Sequence, residues 1–205
     1  MDKRLFFHAT QRNRYPIGKV LEKHIPKHGT VLEIASGSGE HAIYFQCLFP
    51  GLIWQSSEPN PSYRESIDAW IHWKGLKMLM PKPIDLDVKD NQWTLSKEII
   101  SKLTSIVCIN MLHVAEWSCT ESLFKGARSQ LKQDSPLILY GPFKENGVHT
   151  CESNESFDSS LKLSNKDWGV RDLEEVSKVA SYYGFKRKDI IRMPANNLTV
   201  IFNRN

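Results

Sequence analysis

The sequence predicts a doubly wound α/β fold: a mostly parallel, seven-stranded sheet with helices on both faces and an antiparallel hairpin at its C-terminal end. Three observations carry that expectation. Short β-rich apolar runs alternate with amphipathic stretches of helical length, as in parallel strands joined by crossover helices. The stretch VLEIASGSGEHAIYF, Val31 to Phe45, passes from a buried strand through a turn of small residues into a helix. The last two strand-like runs, FKRKDIIRM and LTVIFN, are separated only by PANN, a hairpin spacing.

In chain order, an N-terminal helical arm covers about residues 1–28. Its helix is expected at Ile17–Ile25, starting after Pro16, which suits a first turn, and stopping at Pro26. Strands are expected at TVLEIA (30–35), LIWQSS (52–57), PKPIDL (81–86), TSIVCIN (104–110) and PLILYG (136–141). Helices fill the gaps at 40–49, 62–73, 95–102 and 120–131. Residues of about 142–170 then form a polar segment rich in Ser, Asn and Gly. A connection of that length is expected to be a lid-like insertion. A helix at 171–183 follows, with Leu173, Val176, Val179, Ala180 and Tyr183 on one face. The hairpin strands 185–193 and 198–203 close the chain, and 205 residues with 40% hydrophobic content predict one domain over 1–205.

Composition narrows the function classes. The net charge of +4 comes from 27 basic and 23 acidic residues scattered along the chain, and its densest basic cluster, KRKD at Lys186–Asp189, reads as a solvated face. That is no basic stripe, so nucleic acid is not expected as a partner. The four cysteines show neither a CxxC pair nor metal-ligand spacing, which points to reduced thiols, no metal and a cytoplasmic location. No apolar run approaches the roughly 20 residues of a membrane span, and MDKRLFFHATQRNRY lacks a signal-peptide core, so no membrane association is expected.

Ligands of open parallel sheets bind beyond the carboxyl ends of the strands, beside the first strand-to-helix turn, here Ala35, Ser36, Gly37, Ser38 and Gly39. GSGEHA satisfies the dinucleotide pattern G-x-G-x-x-G/A, which keeps an NAD(P)-dependent oxidoreductase open as an alternative. Two acids argue against it. Glu33 lies two residues before the turn and Glu40 at the helix start, where a pyrophosphate needs positive potential. S-adenosylmethionine (SAM) carries a cationic amino group and sulfonium, so a carboxylate at Glu33 favours it. Glu58, about twenty residues past the turn, is placed to accept from ribose hydroxyls in either ligand, or to cap the next helix. Asp87 with the backbone of Val88 is the preferred adenine contact, with Asp85 as a second acid at the same strand end. Asn110 and Met111, at the end of INM, complete the expected cofactor set. His113 either orients or deprotonates an acceptor, or is a hydrogen-bonded structural residue.

The spacing Glu33-x-Ala35-x-Gly37-x-Gly39 resembles the glycine motif of class I SAM-dependent methyltransferases, with Ala replacing the first Gly. LEIASGSGEHA, WQSSEPN, INMLHVAEW, LYGPF, SNESFDSSL, WGVRDLEEV and MPANNLTVIF together resemble an uncharacterised methyltransferase-like family, a domain of unknown function, from about Arg12 to Phe202. The resemblance implies a SAM-dependent methyltransferase fold with an unassigned substrate, and so bears on the cofactor more than on the reaction. A small-molecule acceptor is expected, with His113, Asp158 and Tyr140 as candidate catalytic residues. Arg14, Phe143, Asn154, Trp168, Arg171, Asn196 and Asn197 are candidate substrate contacts. Five of these have a structural alternative: a local ion pair for Arg171, the hairpin turn for Asn196 and Asn197, packing beneath the lid for Phe143 and Trp168. A SAM-fold protein without catalysis, acting as an interaction partner, is the third reading.

Overall fold

The first helix, α1 (His8–His24), starts well before Ile17 and carries Pro16 in its interior. An interior proline costs about 3 kcal/mol through a lost hydrogen bond and a ring clash. What offsets it is a buried face formed by Thr10, Asn13, Ile17, Val20 and Leu21, at helical spacing. The first two of these are polar, so hydrophobic periodicity shows only the second half of the helix. A computed structural model describes residues 2–205 and divides into two compact units, one ending at Cys108 and the other beginning at Ile109.

The first unit continues with β1 (Gly29–Ile34), α2 (Glu40–Leu48), β2 (Leu52–Ser56), α3 (Pro61–Trp73), α4 (Lys97–Lys102) and β3 (Leu103–Ile109). β1 is buried from Thr30 onward because it pairs in parallel on both sides, Leu32 opposite Gln55 of β2 and opposite Ile106 of β3. Asn60 caps α3 by accepting from the Ser62 N–H, with Pro61 in the first turn, and Ser96 caps α4. The strand expected at 81–86 does not form. Ile84 makes one parallel bridge to Ser57, donating its N–H to Ser56 and accepting from Glu58, both at 3.0 Å. Pro81 and Pro83 have no N–H to extend the ladder, so the pairing stops there.

The second unit holds a 3-10 turn at Leu112–Val114, then α5 (Trp117–Gln130) and β4 (Pro136–Gly141). The segment expected as a polar lid loop is largely regular. It forms β5 (Phe143–Glu145), β6 (Val148–His149) and α6 (Glu152–Ser164), and β7 (Arg171–Asp172) joins β5 in parallel to make a three-stranded sheet ordered β6-β5-β7. The buried positions of α6 are Asn154, Asp158 and Leu161, a helical stripe in which two of three residues are polar. α7 (Leu173–Tyr182) is capped by Asp172, whose carboxylate accepts from the N–H groups of Glu174 and Glu175. β8 (Phe185–Met193) and β9 (Asn197–Arg204) form the expected hairpin, and β9 also pairs antiparallel with β4, Leu139 opposite Val200. Phe124 meets Phe185 and Phe202 edge-on, at 5.6 and 5.3 Å between ring centres, in the core of this unit. The central sheet therefore has six strands, not seven, in the order β2-β1-β3-β4-β9-β8, mostly parallel with the hairpin at one end.

Candidate functional site

The chain leaves β1 through three residues of positive φ: Ala35 at 54°, Gly37 at 55° and Gly39 at 90°. Ala35 thus takes the bend that glycine usually makes, at a cost of about 1 kcal/mol. Backbone bonds to the end of β2 hold it there. The Ser36 N–H donates to Ser57 O at 2.9 Å, while the Ser57 N–H and hydroxyl donate to Glu33 O at 2.9 and 2.7 Å. Gly39 admits no side chain, since a Cβ there would lie 2.9 Å from the Ile67 Cα. Among the described residues, a Cβ at Gly37 would meet only the Phe7 ring, 3.2 Å away, so apart from that ring this part of the turn is an uncovered cradle.

Carboxylates surround that cradle. Glu58 receives the Gly37 N–H on one oxygen at 3.0 Å and the Asn60 N–H on the other at 3.1 Å. Its pKa is nonetheless raised, chiefly by burial, with the charge of Asp87 adding and Arg64 opposing. Glu33 is 1% exposed and accepts the Trp54 indole N–H at 3.2 Å. Burial, with the negative charge of Glu58 adding, pushes Glu33 up to about 7. Its side chain therefore belongs to the wall beneath the turn. Asp87 is half-buried and accepts from the Lys89 N–H, and the Val88 carbonyl accepts from the Trp93 indole. Asp85 is paired bidentately with Arg64, at 2.9 Å on both oxygens. Glu40 sits on the first turn of α2 and accepts the Phe7 N–H at 2.6 Å and the Ser38 hydroxyl at 3.0 Å. The helix N-terminus that would greet a pyrophosphate is thus already faced by a carboxylate, and the acids beside the turn oppose one another's ionisation. The donor set fits a cation with hydroxyl groups, as in SAM, and does not fit a dinucleotide pyrophosphate. Ser36 is buried within the turn. Arg14 lies on α1 with its guanidinium 5.1 Å from the centre of the Tyr44 ring.

In the second unit, Asn110 has φ 62° and donates its N–H to Tyr140 O at 2.8 Å, and Met111 is buried. A Cβ on Gly141 would meet His113 Nδ1 at 3.4 Å and Asn110 Oδ1 at 3.6 Å, so an imidazole and an amide converge on that glycine. The His113 ring packs edge-on against Phe157, 5.5 Å between centres. Burial, with the Arg171 charge adding, lowers its pKa to about 4. It is a neutral hydrogen-bonding group at pH 7 and a weak base. Tyr140 is 5% exposed within β4.

Several expected site residues have their polar groups committed elsewhere. Asp158, 3% exposed, accepts from Lys162 at 2.7 Å on one oxygen, where Lys144 Nζ at 3.3 Å and His149 Nε2 at 3.2 Å also lie, and from the Val170 N–H at 2.7 Å on the other. Burial works against its charge, but these donors outweigh it and hold the pKa near 2, so Asp158 is no proton acceptor. Arg171 donates to the carbonyls of Leu112, Ala115 and Asp167, neither forming the local ion pair nor presenting a free fork for a carboxylate. It braces the turn that carries His113. Asn154 ties α6 to the hairpin, donating to Thr150 Oγ1 and Asn196 O. Asn197 holds the turn by donating to Pro194 O and Ala195 O, and Asn196, at φ 55°, is part of that turn. Phe143 is a core residue at 2% exposure, whereas Trp168 is half-buried and Phe157 exposed. Sequence reasoning missed Ser57 and Phe7. The first lies at a strand end where only pairing register reveals it, and the signal for Phe7 was the apolar run Leu5–Phe7 in a polar arm.

Residues 4–204 match the family described as "Protein of unknown function (DUF938)". The chain belongs to the DUF938 family. Solved structures place the fold of this DUF938 member among those of SAM-dependent methyltransferases. It is similar to an O-methyltransferase family 2 protein from Planctomyces limnophilus in complex with apigenin, at TM-score 0.79 and 14% identity, over 96% of this chain and 58% of that one. It is also similar to the SAM-dependent methyltransferase SibL in its apo form, at TM-score 0.77 and 12% identity, over 96% and 55%. A third likeness is to PigF with S-adenosylhomocysteine (SAH), at TM-score 0.73 and 13% identity, over 87% and 51%. The DUF938 chain thus spans little more than half the length of these proteins, and at such identity the likeness is one of fold. No helix among the described residues is long and apolar enough to cross a membrane.

Proposed function

We propose that this protein is a SAM-dependent methyltransferase that transfers a methyl group in line to a small-molecule acceptor. The observation that carries the reading is the glycine cradle flanked by acids that oppose one another's ionisation, Glu33, Glu58 and Asp87, which a cationic ligand would relieve. The SAM-methyltransferase fold of the solved neighbours and the SAH bound to PigF support the same cofactor.

In this reading Ala35, Ser36, Gly37 and Gly39 give the ligand close backbone approach, and Glu58 accepts from ribose hydroxyls. Asp87 and the Val88 backbone take the adenine. SAM supplies an electrophilic methyl group on a sulfonium. The protein's task is to align an acceptor and shield it from water. Neutral His113, with Asn110 beside Gly141, orients the acceptor by hydrogen bonding; a group titrating near 4 is poorly matched to proton abstraction at pH 7. Trp168 and Phe157 offer apolar contact, and Tyr140 and Arg14 remain polar candidates at the acceptor. A small molecule fits the scattered charge, and apigenin in one neighbour's structure is of that class.

Calorimetric titration with SAM, SAH and NAD tests the cofactor. SAM and SAH should bind and NAD should not, and Glu58→Ala should weaken SAH binding at least about tenfold while the unfolding midpoint stays within a few degrees. Binding of NAD without SAM would overturn the reading. Incubation with methyl-labelled SAM and fractionated metabolites then identifies the acceptor, and absence of transfer across broad extracts favours the non-catalytic alternative.

A further inference from the structure

Residues Asp2–Phe7 run as an extended strap before α1 and are pinned to the first unit at successive points. The Leu5 N–H donates to the Ser66 hydroxyl at 2.8 Å, and that hydroxyl donates to Ser38 O at 2.7 Å, inside the glycine turn. The Trp70 indole donates to Leu5 O at 3.1 Å. The Arg4 guanidinium lies 4.9 Å from the Trp70 ring and 4.4 Å from the Trp73 ring, and Phe6 meets Trp70 edge-on at 5.0 Å. At the strap's end the Phe7 N–H donates to the Glu40 carboxylate, buried in the first turn of α2. The Phe7 ring meets Tyr63 edge-on at 5.7 Å, and it is the group a Cβ on Gly37 would strike.

Two features are unlike a strap that merely packs. Leu5, Phe6 and Phe7 are 36%, 55% and 40% exposed, so three consecutive apolar side chains lack full cover. The residue whose ring stands over the cradle is also held, through its backbone N–H, by a carboxylate on the cradle's own helix, so the strap and the turn are tied together where that ring lies. We propose that the strap is the outer wall of the cofactor site, with Phe7 a binding residue that closes over an adenosyl ligand and Glu40 the latch that sets it. This rests on the SAM reading. Cofactor exchange then requires the Phe7–Glu40 bond to open.

The test uses the full chain and SAH, with dissociation followed by stopped flow through the strap-bound Trp70. Phe7→Ala should speed SAH dissociation about tenfold or more, and Glu40→Gln, which keeps an acceptor but loses its charge, should speed it several-fold. Hydrogen exchange at the Phe6 and Phe7 amides should slow when SAH binds. Phe7 is substantially exposed, so its truncation leaves the core intact. Wild-type dissociation rates in both variants, with unchanged exchange at those amides, would overturn the strap's role and leave the cofactor reading standing. Absence of SAH binding to the wild-type protein would overturn both.

Discussion

Glu33→Gln isolates the electrostatics of the glycine turn. Glu33 is wholly buried and its pKa stands at about 7 against an ordinary 4.5. The native state thus holds the proton more tightly than the unfolded chain does. Its contribution is fully present below pH 4.5 and is lost as pH rises through about 7, when a charge must be carried in the wall of the turn. At about 1.4 kcal/mol per pH unit, that rise amounts to roughly 3 kcal/mol. Glutamine keeps a carbonyl for the Trp54 indole and carries no charge at any pH. Urea unfolding of both proteins between pH 5 and 8 should give similar stabilities at the acid end, with the variant gaining progressively toward pH 8, by up to roughly 3 kcal/mol. The same logic applies to the cofactor. A cation near these acids favours ionised Glu33, so SAM binding near pH 7 should release a fraction of a proton, seen as a dependence of calorimetric enthalpy on buffer ionisation heat. Glu33→Gln should release less. Parallel stability profiles for the two proteins, with equal proton release, would refute the reasoning.

Other expectations follow from the same geometry. Gly39→Ala combines φ 90° with a Cβ 2.9 Å from backbone at Ile67, whereas Gly75→Ala combines φ 71° with nothing within 4 Å. Denaturant unfolding should show the first costing about 2–4 kcal/mol and the second about 1, and equal losses would mean that the packing of α3 against the turn is misjudged. Asp158→Asn leaves Lys144 and Lys162 without their carboxylate and should destabilise the protein by about 2 kcal/mol at pH 7. Because the Asp158 pKa is depressed to about 2, that difference should shrink as pH falls from the ordinary 3.8 toward 2, and a constant difference would argue against the ion cluster. If methyl transfer is detected, His113→Asn should lower kcat with little change in SAH affinity, while loss of SAH binding would move His113 into the cofactor site.

Much of this protein was legible along the chain because strands buried on both faces are continuous apolar runs and glycine turns have local signatures. β1, β2, β3, β4 and the closing hairpin were expected within a few residues of where they lie, and the acids at Glu33 and Glu40 favoured a cation over an anion at the turn, while Glu58 suited either ligand. The failures share a cause: polar residues or prolines where an apolar pattern was sought. The early start of α1 rests on buried Thr10 and Asn13, with Asn13 paired to His41 at 2.7 Å. α6 was read as loop because Asn154 and Asp158 occupy its inward face, and the seventh strand failed because Pro81 and Pro83 cannot donate. Sequence by itself determined the alternation of elements, the position of the turn and the sign of charge around it. Only tertiary structure decided which groups are spent, since hydrogen bonds are made between residues distant in sequence. It committed Asp158 to two lysines, Arg171 to three carbonyls and Asn197 to its own turn, brought His113 and Asn110 together at Gly141, and laid Phe7 across Gly37.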